Sequence, residues 1–327
     1  MSGGIPDSLA DLSQLFILDL SSNSLTGEIP AGLGHTGLHT LNLEHNGLTG
    51  SLPADAFGSD VSTLDVSHNL LTGSLPAITA SASLSTVDVG HNQLSGPLPD
   101  LSAGTLSTFD GSGNGFTGSV PTWLADLEEV RLGTNHLSDT IPAAFGTSPI
   151  IQVLDLSDND LTSGIPPLAG ATNLRVLNLS FNGLFNNIPS GLSSLQKLVV
   201  LDLRSNDLQG SVPTSLNTMP DLEEVRLSGN ALSGPISATV GNAPKLRVLD
   251  LADNAITGTI PTSFGGLSEL ETLDLSGNQL SGIVPDGLLN LPHLTAITLH
   301  GNGCLTASPS LTNLLDALDA TWADGCP

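Results

Sequence analysis

An α/β solenoid is the fold class this sequence predicts: a superhelix of stacked coils with a curved parallel β-sheet on its concave face, an irregular or 3-10 convex side, and a C-terminal helical cap. Three observations predict it. An asparagine recurs every 21 to 24 residues, aliphatic side chains precede it at fixed offsets, and a Gly-x-aliphatic-Pro run follows it. The composition agrees, because 327 residues with 36 Gly, 21 Pro, no Tyr and two Trp suit repetitive structure better than a two-domain enzyme.

The period is fixed by Asn23, Asn46, Asn69, Asn92, Asn114, Asn135, Asn159, Asn182, Asn206, Asn230, Asn254, Asn278 and Asn302. Eight, five and three residues before each Asn the side chain is aliphatic, as in Leu15, Leu18 and Leu20, with Phe109 and Gly111 as exceptions. Alternating Leu-x-Leu is the signature of a short strand with one buried face, and coils of about 24 residues bring successive strands alongside at roughly 4.8 Å. A single coil cannot bury its own aliphatics, so stacking supplies the core. The buried Asn is expected to hydrogen-bond backbone groups that the turning chain leaves unpaired. Gly27, Gly50, Gly73, Gly96, Gly118, Gly210, Gly234, Gly258 and Gly282 suit a tight bend, and the Pro after them, as in Ile29-Pro30 and Ile260-Pro261, starts the convex return.

Leu-x-Leu-x-x-Asn-x-Leu followed by Gly-x-Ile-Pro resembles the plant-type leucine-rich repeat over essentially the whole chain. The array is expected over residues 1–303, about 13 repeats, with an incomplete first unit, since Gly4-Ile5-Pro6 reads as the tail of a coil. The paired-cysteine cap carried by plant members does not precede it, which points to a trimmed or excised segment. Residues 304–327 read as the cap. Ser308 to Trp322 suggests an amphipathic helix with Leu311, Leu314, Leu315 and Leu318 on one face, Ser308 as N-cap and Pro309 in the first turn. Cys304 and Cys326, the only cysteines, bracket that helix and are expected to be bonded rather than free or metal-bound, in an oxidising compartment. The cap pattern resembles that of secreted microbial leucine-rich repeat proteins.

Thirty-two Asp and Glu against seven Lys and Arg give a formal charge of −25, which disfavours nucleic acid, acidic membranes and anionic polysaccharide such as pectin. No apolar run reaches the roughly 18 residues of a membrane span, so no membrane insertion is expected of this segment. The sequence holds no phosphate-binding Gly loop, no Gly-x-Ser-x-Gly, no His-Glu-x-x-His and no kinase segment, and its cysteines are wrongly spaced for zinc. It reads as no enzyme, with no cofactor and no metal.

Information for function is expected in the variable strand residues. Four residues before the Asn lie Asp19, Asp65, Asp88, Asp110, Asp155, Asp202, Asp250 and Asp274, an acidic column with Arg131 and Arg226 interposed. Neighbouring carboxylates about 5 Å apart repel, and these arginines, with Arg247 between Glu223 and Glu271, are expected to relieve them. Immediately before the Asn, His45, His68 and His91 occupy successive repeats, able to titrate together or hold a metal, or simply to be solvated at a permissive position. Thr40, Thr63, Thr86 and Thr108 form a further column. Regularity fails centrally, where Asp139, Ser163 and Asn186 replace the bend Gly and the surface carries Glu128, Glu129, Arg131, Asp155, Asp158, Arg175, Phe181 and Arg204. Arg with an exposed aromatic is the composition of a binding hot spot. Asn178-Leu-Ser180 is the one glycosylation sequon.

The reading is a non-enzymatic scaffold, monomeric and extracellular or cell-surface, that binds a protein or peptide ligand on its concave face. The resemblance adds receptor-kinase ectodomains, receptor-like proteins and inhibitors of pectin-degrading enzymes as candidate types. A structural or adhesive module of a longer microbial surface protein is the alternative, and an ice-binding protein a minor one. A Cys304–Cys326 bond would enclose 21 residues, for which chain entropy gives about 3 kcal/mol. Cys326→Ser should therefore lower the melting temperature under non-reducing conditions; unchanged melting, or two free thiols in the denatured wild type, would refute the bond.

Overall fold

The computed structural model describes residues 1–34, 37–77, 83–102, 105–319 and 321–323. They form two compact units, Met1–Ala144 with Val153–Leu161, and Phe145–Gln152 with Thr162–Pro327. In the first unit Ile17–Asp19, Thr40–Asn42, Thr63–Asp65, Thr86–Asp88, Thr108–Asp110, Glu129–Arg131 and Val153–Asp155 pair in that order, parallel and in register. In the second, Val176–Asn178, Val200–Asp202, Glu224–Arg226, Val248–Asp250, Thr272–Asp274 and Ala296–Thr298 do the same. Both units are thus the expected solenoid of three-residue strands, each strand presenting its middle residue to the core.

The offsets read from the sequence are the core. Leu41, Leu43 and Leu48 are wholly buried, as are Leu201, Leu203 and Leu208 one unit on. Where Gly111 interrupts the aliphatic pattern, a Cβ would stand 2.9 Å from the Phe109 ring and 3.1 Å from Phe116, so two buried phenylalanines fill the space a Leu would have taken.

Each asparagine amide joins two coils. Asn69 Nδ2 donates to the carbonyls of Val66 and Ser67 in its own coil and of Leu43 in the preceding one, while its Oδ1 accepts the Leu48 N–H. Asn206 repeats the pattern with Leu203, Arg204, Leu179 and Leu184. The side chain thereby satisfies groups that would otherwise be buried without partners.

All nine bend glycines have positive φ, from 78° to 93°. Asp139 (φ 67°) and Asn186 (φ 69°) take the same left-handed bend, as residues whose short polar side chains tolerate it. Ser163 does not, and there the regular bend is lost. Prolines such as Pro53, Pro121, Pro189 and Pro261 then open 3-10 turns, including Ala54–Phe57, Thr122–Asp126, Ser190–Ser194 and Thr262–Gly266.

A second set of parallel strands lies beside the first. Between Asn and bend, the chain stays extended and pairs with the same segment of its neighbour, giving short parallel strands such as Gln93–Pro97, Gly115–Ser119 and His136–Asp139, or Ser233–Pro235 and Ala255–Gly258. These strands are staggered by two residues per coil, as in Gly115↔Ser95 and Thr117↔His136, so their Ser and Thr side chains do not line up as one hydroxyl ladder.

The cap helix is Pro309–Leu318, shorter than the Ser308–Trp322 expected. Ser308 caps it by accepting from Leu311 N–H, and Leu311 and Leu315 are buried, but Leu318 is 38% exposed. The helix stops because Asp319 is used elsewhere: its carboxylate accepts the N–H groups of Leu299 and His300, at 2.7 and 2.9 Å, at the end of the sheet. Burial pushes the Asp319 carboxyl up, and the hydrogen bonds from Leu299, Thr321 and His300 outweigh it and hold the group below its ordinary range. Trp322 packs in the core with Nε1 donating to Asp316. Among the described residues no cysteine is free; Cys326 lies outside them, as does most of the segment that follows Trp322.

Leu156→Ala, at a fully buried ladder position, should cost about 2 to 4 kcal/mol through transfer and cavity terms. Chemical denaturation of the purified chain checks this, and a loss below about 1 kcal/mol would mean the array collapses around the gap.

Candidate functional site

Core and bends consume the Leu, Asn, Gly and Pro positions, which leaves the strand face to other residues. Strand register sets them in columns one coil apart. Four residues before the Asn, Asp65 Oδ1 accepts both the Ser67 N–H at 3.0 Å and the Ser67 hydroxyl at 2.7 Å. Asp110 with Ser112, Asp155 with Ser157 and Asp274 with Ser276 do likewise. The column is therefore more than a row of repelling charges, since each carboxylate closes a local turn. Asn42 accepts from Glu44 N–H, and Asn178 from the N–H and hydroxyl of Ser180, in the same way. An amide oxygen suffices for the turn.

At Asp88 the serine is replaced by Gly90, which supplies its N–H at 2.9 Å but no hydroxyl. Burial, with Asp110, Asp65 and Glu44 nearby, outweighs that bond and raises the Asp88 carboxyl to about 7. Asp202, only 4% exposed, is raised mainly by burial and restrained by Arg204 and Arg226.

Arg131 and Arg226 also pair with acids of their own strands, besides facing the aspartates in register with them. Arg131 lies in register between Asp110 and Asp155, yet its guanidinium bonds Glu129 at 2.5 Å, two residues back on the same strand and the same face. Arg226 bonds Glu224 in the same manner. Arg247 does bridge neighbouring strands, at 2.9 Å from Glu271 and 3.6 Å from Glu223.

Of the central residues expected to form a ligand patch, Glu128, Glu129, Arg131, Asp155 and Asp158 belong to the first unit and Arg175, Phe181 and Arg204 to the second. Within the second, Arg204 lies over the Phe181 ring at 5.4 Å and pairs with Asp202 at 3.1 Å. Phe181 is 49% exposed, so an aromatic face and a guanidinium are presented together. Arg204 Nε is buried without a partner. Arg175 is exposed at the edge of its strand.

What the sequence reading missed is the backbone immediately before each Asn. Ser22, His45, His68, His91, Thr134 and Asp158 there have φ of 52° to 57°, and Phe181, Ser205 and Asp253 51° to 54°. Gly113, Gly229, Gly277 and Gly301 occupy the same place in other coils. The position is left-handed throughout, because the chain must reverse to aim the Asn amide inward; recurrent Gly, Ser and Asp were its signal. From this position His45, His68 and His91 stack, with ring centroids 4.1 and 4.3 Å apart and planes inclined by 10° and 16°. Imidazole lone pairs lie in the ring plane, so parallel rings do not converge on one metal. Among the described residues no group of three His, Cys, Asp or Glu is placed to hold one. No described helix is long and apolar enough to cross a membrane.

Comparison with known proteins follows the repeat. Leucine-rich repeat family profiles match residues 172–232 and 244–303, and a related one matches 14–36, 37–58 and 151–170. Receptor-like protein 18 of Arabidopsis thaliana is 33% identical over 97 residues, 29% of this chain and 12% of that protein. The ectodomain of the Arabidopsis receptor kinase GASSHO1/SCHENGEN3, solved with Casparian strip integrity factor 2, superposes with a TM-score of 0.83 at 32% identity, over 96% of this chain and 42% of that one. The Arabidopsis receptor kinase HAESA, solved with the peptide hormone IDA and the co-receptor SERK1, gives 0.79 at 29% identity, over 92% and 56%. A leucine-rich repeat protein of Leptospira interrogans gives 0.73 at 25% identity, over 97% and 91%. The chain spans about an eighth of the length of the receptor-like protein and about half that of the receptor ectodomains.

The Asp88 geometry predicts a pH signature. A carboxyl raised from 3.8 unfolded to about 7 folded contributes stability that is full below pH 3.8 and lost as pH rises through 7. Asp88→Asn, which keeps the acceptor oxygen, should leave melting near pH 4 unchanged and raise it at pH 8. Asp65→Asn should be close to neutral at both. Equal effects of Asp88→Asn at pH 4 and 8 would contradict the assignment.

Proposed function

The chain belongs to the plant-type leucine-rich repeat proteins, and on that footing we propose that it is a non-enzymatic recognition scaffold that holds a protein or peptide ligand against the exposed face of its strands. One observation carries the reading: in each unit the strand face is an in-register array of side chains that the core does not need. Burial, coil-to-coil hydrogen bonding and bending are met by Leu, Asn and Gly, so the face is free to vary with the ligand. The relatives that match along the chain include ectodomains solved with such ligands, HAESA with a peptide hormone among them. An extracellular or cell-surface setting fits the same resemblance.

The contact surface we favour is the Phe181–Arg204–Asp202 group with Arg175 in the second unit. An aromatic ring stacked by a guanidinium offers both apolar area and a directed charge, the combination typical of interface hot spots. Glu128, Glu129, Arg131, Asp155 and Asp158 form the corresponding group of the first unit. A glycan on Asn178 would stand in the carboxylate column of the same face.

The alternative is a structural or adhesive module of a longer microbial surface protein; a microbial leucine-rich repeat protein, from Leptospira interrogans, shares the fold over 97% of this chain. The two readings part on specificity. Affinity capture of secreted proteins and peptides by wild type and by Phe181→Ala/Arg204→Glu, with identified hits confirmed by calorimetry, should show a discrete ligand lost at least tenfold in the double variant at unchanged melting temperature. Identical capture by both would refute a ligand site at Phe181 and Arg204 and favour the module.

A further inference from the structure

The histidine column serves none of the purposes described so far. Its backbone position is left-handed, where a side chain is strained relative to Gly, yet three successive coils carry imidazoles there. The rings are packed, with adjacent centroids at 4.1 and 4.3 Å. At its far end the column closes on a residue without a side chain: a Cβ on Gly113 would lie 2.7 Å from His91 Nδ1. The charged groups facing the column are carboxylates: Glu44, with Oε1 3.3 Å from His45 Nε2, and Asp65, both of which act on His68. Arg131, one coil beyond Gly113, is engaged by Glu129.

We propose that the His45–His68–His91 column is a proton-operated switch on the edge of the first unit's strand face, stacked while its middle ring is neutral and forced apart when that ring is protonated. The asymmetry lies in the positions. Glu44 offsets charge at His45, and His91 is a full ring further along. A proton on His68 meets both neighbours at about 4 Å, where two like charges repel by several RT at the effective dielectric of a protein surface. The direction of its titration agrees, because burial first, then His91 and His45, lower His68 against the opposing pull of Glu44 and Asp65. Its contribution to stability is therefore present above pH 6.5 and lost as pH falls through the lowered folded value. Opening replaces a packed strip beside Glu44 and Asp65 with separated imidazolium groups that offset those carboxylates, so the negative charge of that edge falls while the core and the asparagine ladder stay in place.

The test is a histidine side-chain NMR titration of the intact chain from pH 8 to 4.5, with melting measured alongside, on wild type, His68→Phe and His68→Gln. Wild type should show ring-current shifts at pH 8 that vanish together as His68 protonates, with a Hill slope below one. His68→Phe keeps a ring that cannot be charged, so His45 and His91 should retain their shifts at pH 5 and the acid loss of melting temperature should shrink. His68→Gln should remove the ring-current shifts at every pH and shrink the acid loss equally. Three independent titrations with unchanged ring shifts, or the same acid loss in wild type and either variant, would overturn the switch.

Discussion

Everything in this molecule depends on an amide that belongs to two coils at once. A chain that turns every 21 to 24 residues must bury peptide groups at each turn, and every unpaired one costs about 1 to 3 kcal/mol. The asparagine meets that demand from a single side chain, donating to carbonyls of its own coil and the one before and accepting an N–H from the latter. Leucines supply most of the burial energy, but the ladder sets which coil faces which and at what register. The left-handed residue before each Asn is the geometric condition for that amide to point inward.

Once these demands are met, the strand face carries no obligation to the core. Its carboxylates still do local work, because Asp-x-Ser turns give Asp65, Asp110, Asp155 and Asp274 an N–H and a hydroxyl each. That bonding explains how a column of aspartates persists in a protein of charge −25. It also singles out Asp88, which has lost its hydroxyl donor to Gly90 and is the one member of its neighbourhood pushed up to about 7. In-strand partners such as Glu129 for Arg131 show a second arrangement, in which long side chains two residues apart on one face of a strand pair with each other.

The ends of the ladder need other solutions. At the C-terminal side Asp319 stands in for the next coil by accepting two sheet N–H groups, which stops the helix at Leu318. The helical pattern of Leu311, Leu314, Leu315 and Leu318 extends the helix no further than that carboxylate allows, and Leu318 is left 38% exposed.

The sequence by itself determined the repeat, the strand positions, the buried Leu and Asn offsets, the bend glycines and the capping of the last helix at Ser308. Each is a local, periodic demand repeated in every coil, so a single sequence states it many times over. Tertiary structure alone decided that Arg131 and Arg226 bond glutamates of their own strands, that Arg204 lies on Phe181, that three imidazoles stack, and that Gly90 leaves Asp88 short of a donor. Those outcomes depend on distances between side chains a whole coil apart and on burial, and the period of a sequence places residues in a column without saying how they lean. The left-handed turn before each Asn sits between the two classes: its Gly, Ser and Asp content was visible, but its meaning required knowing where the asparagine amide had to point.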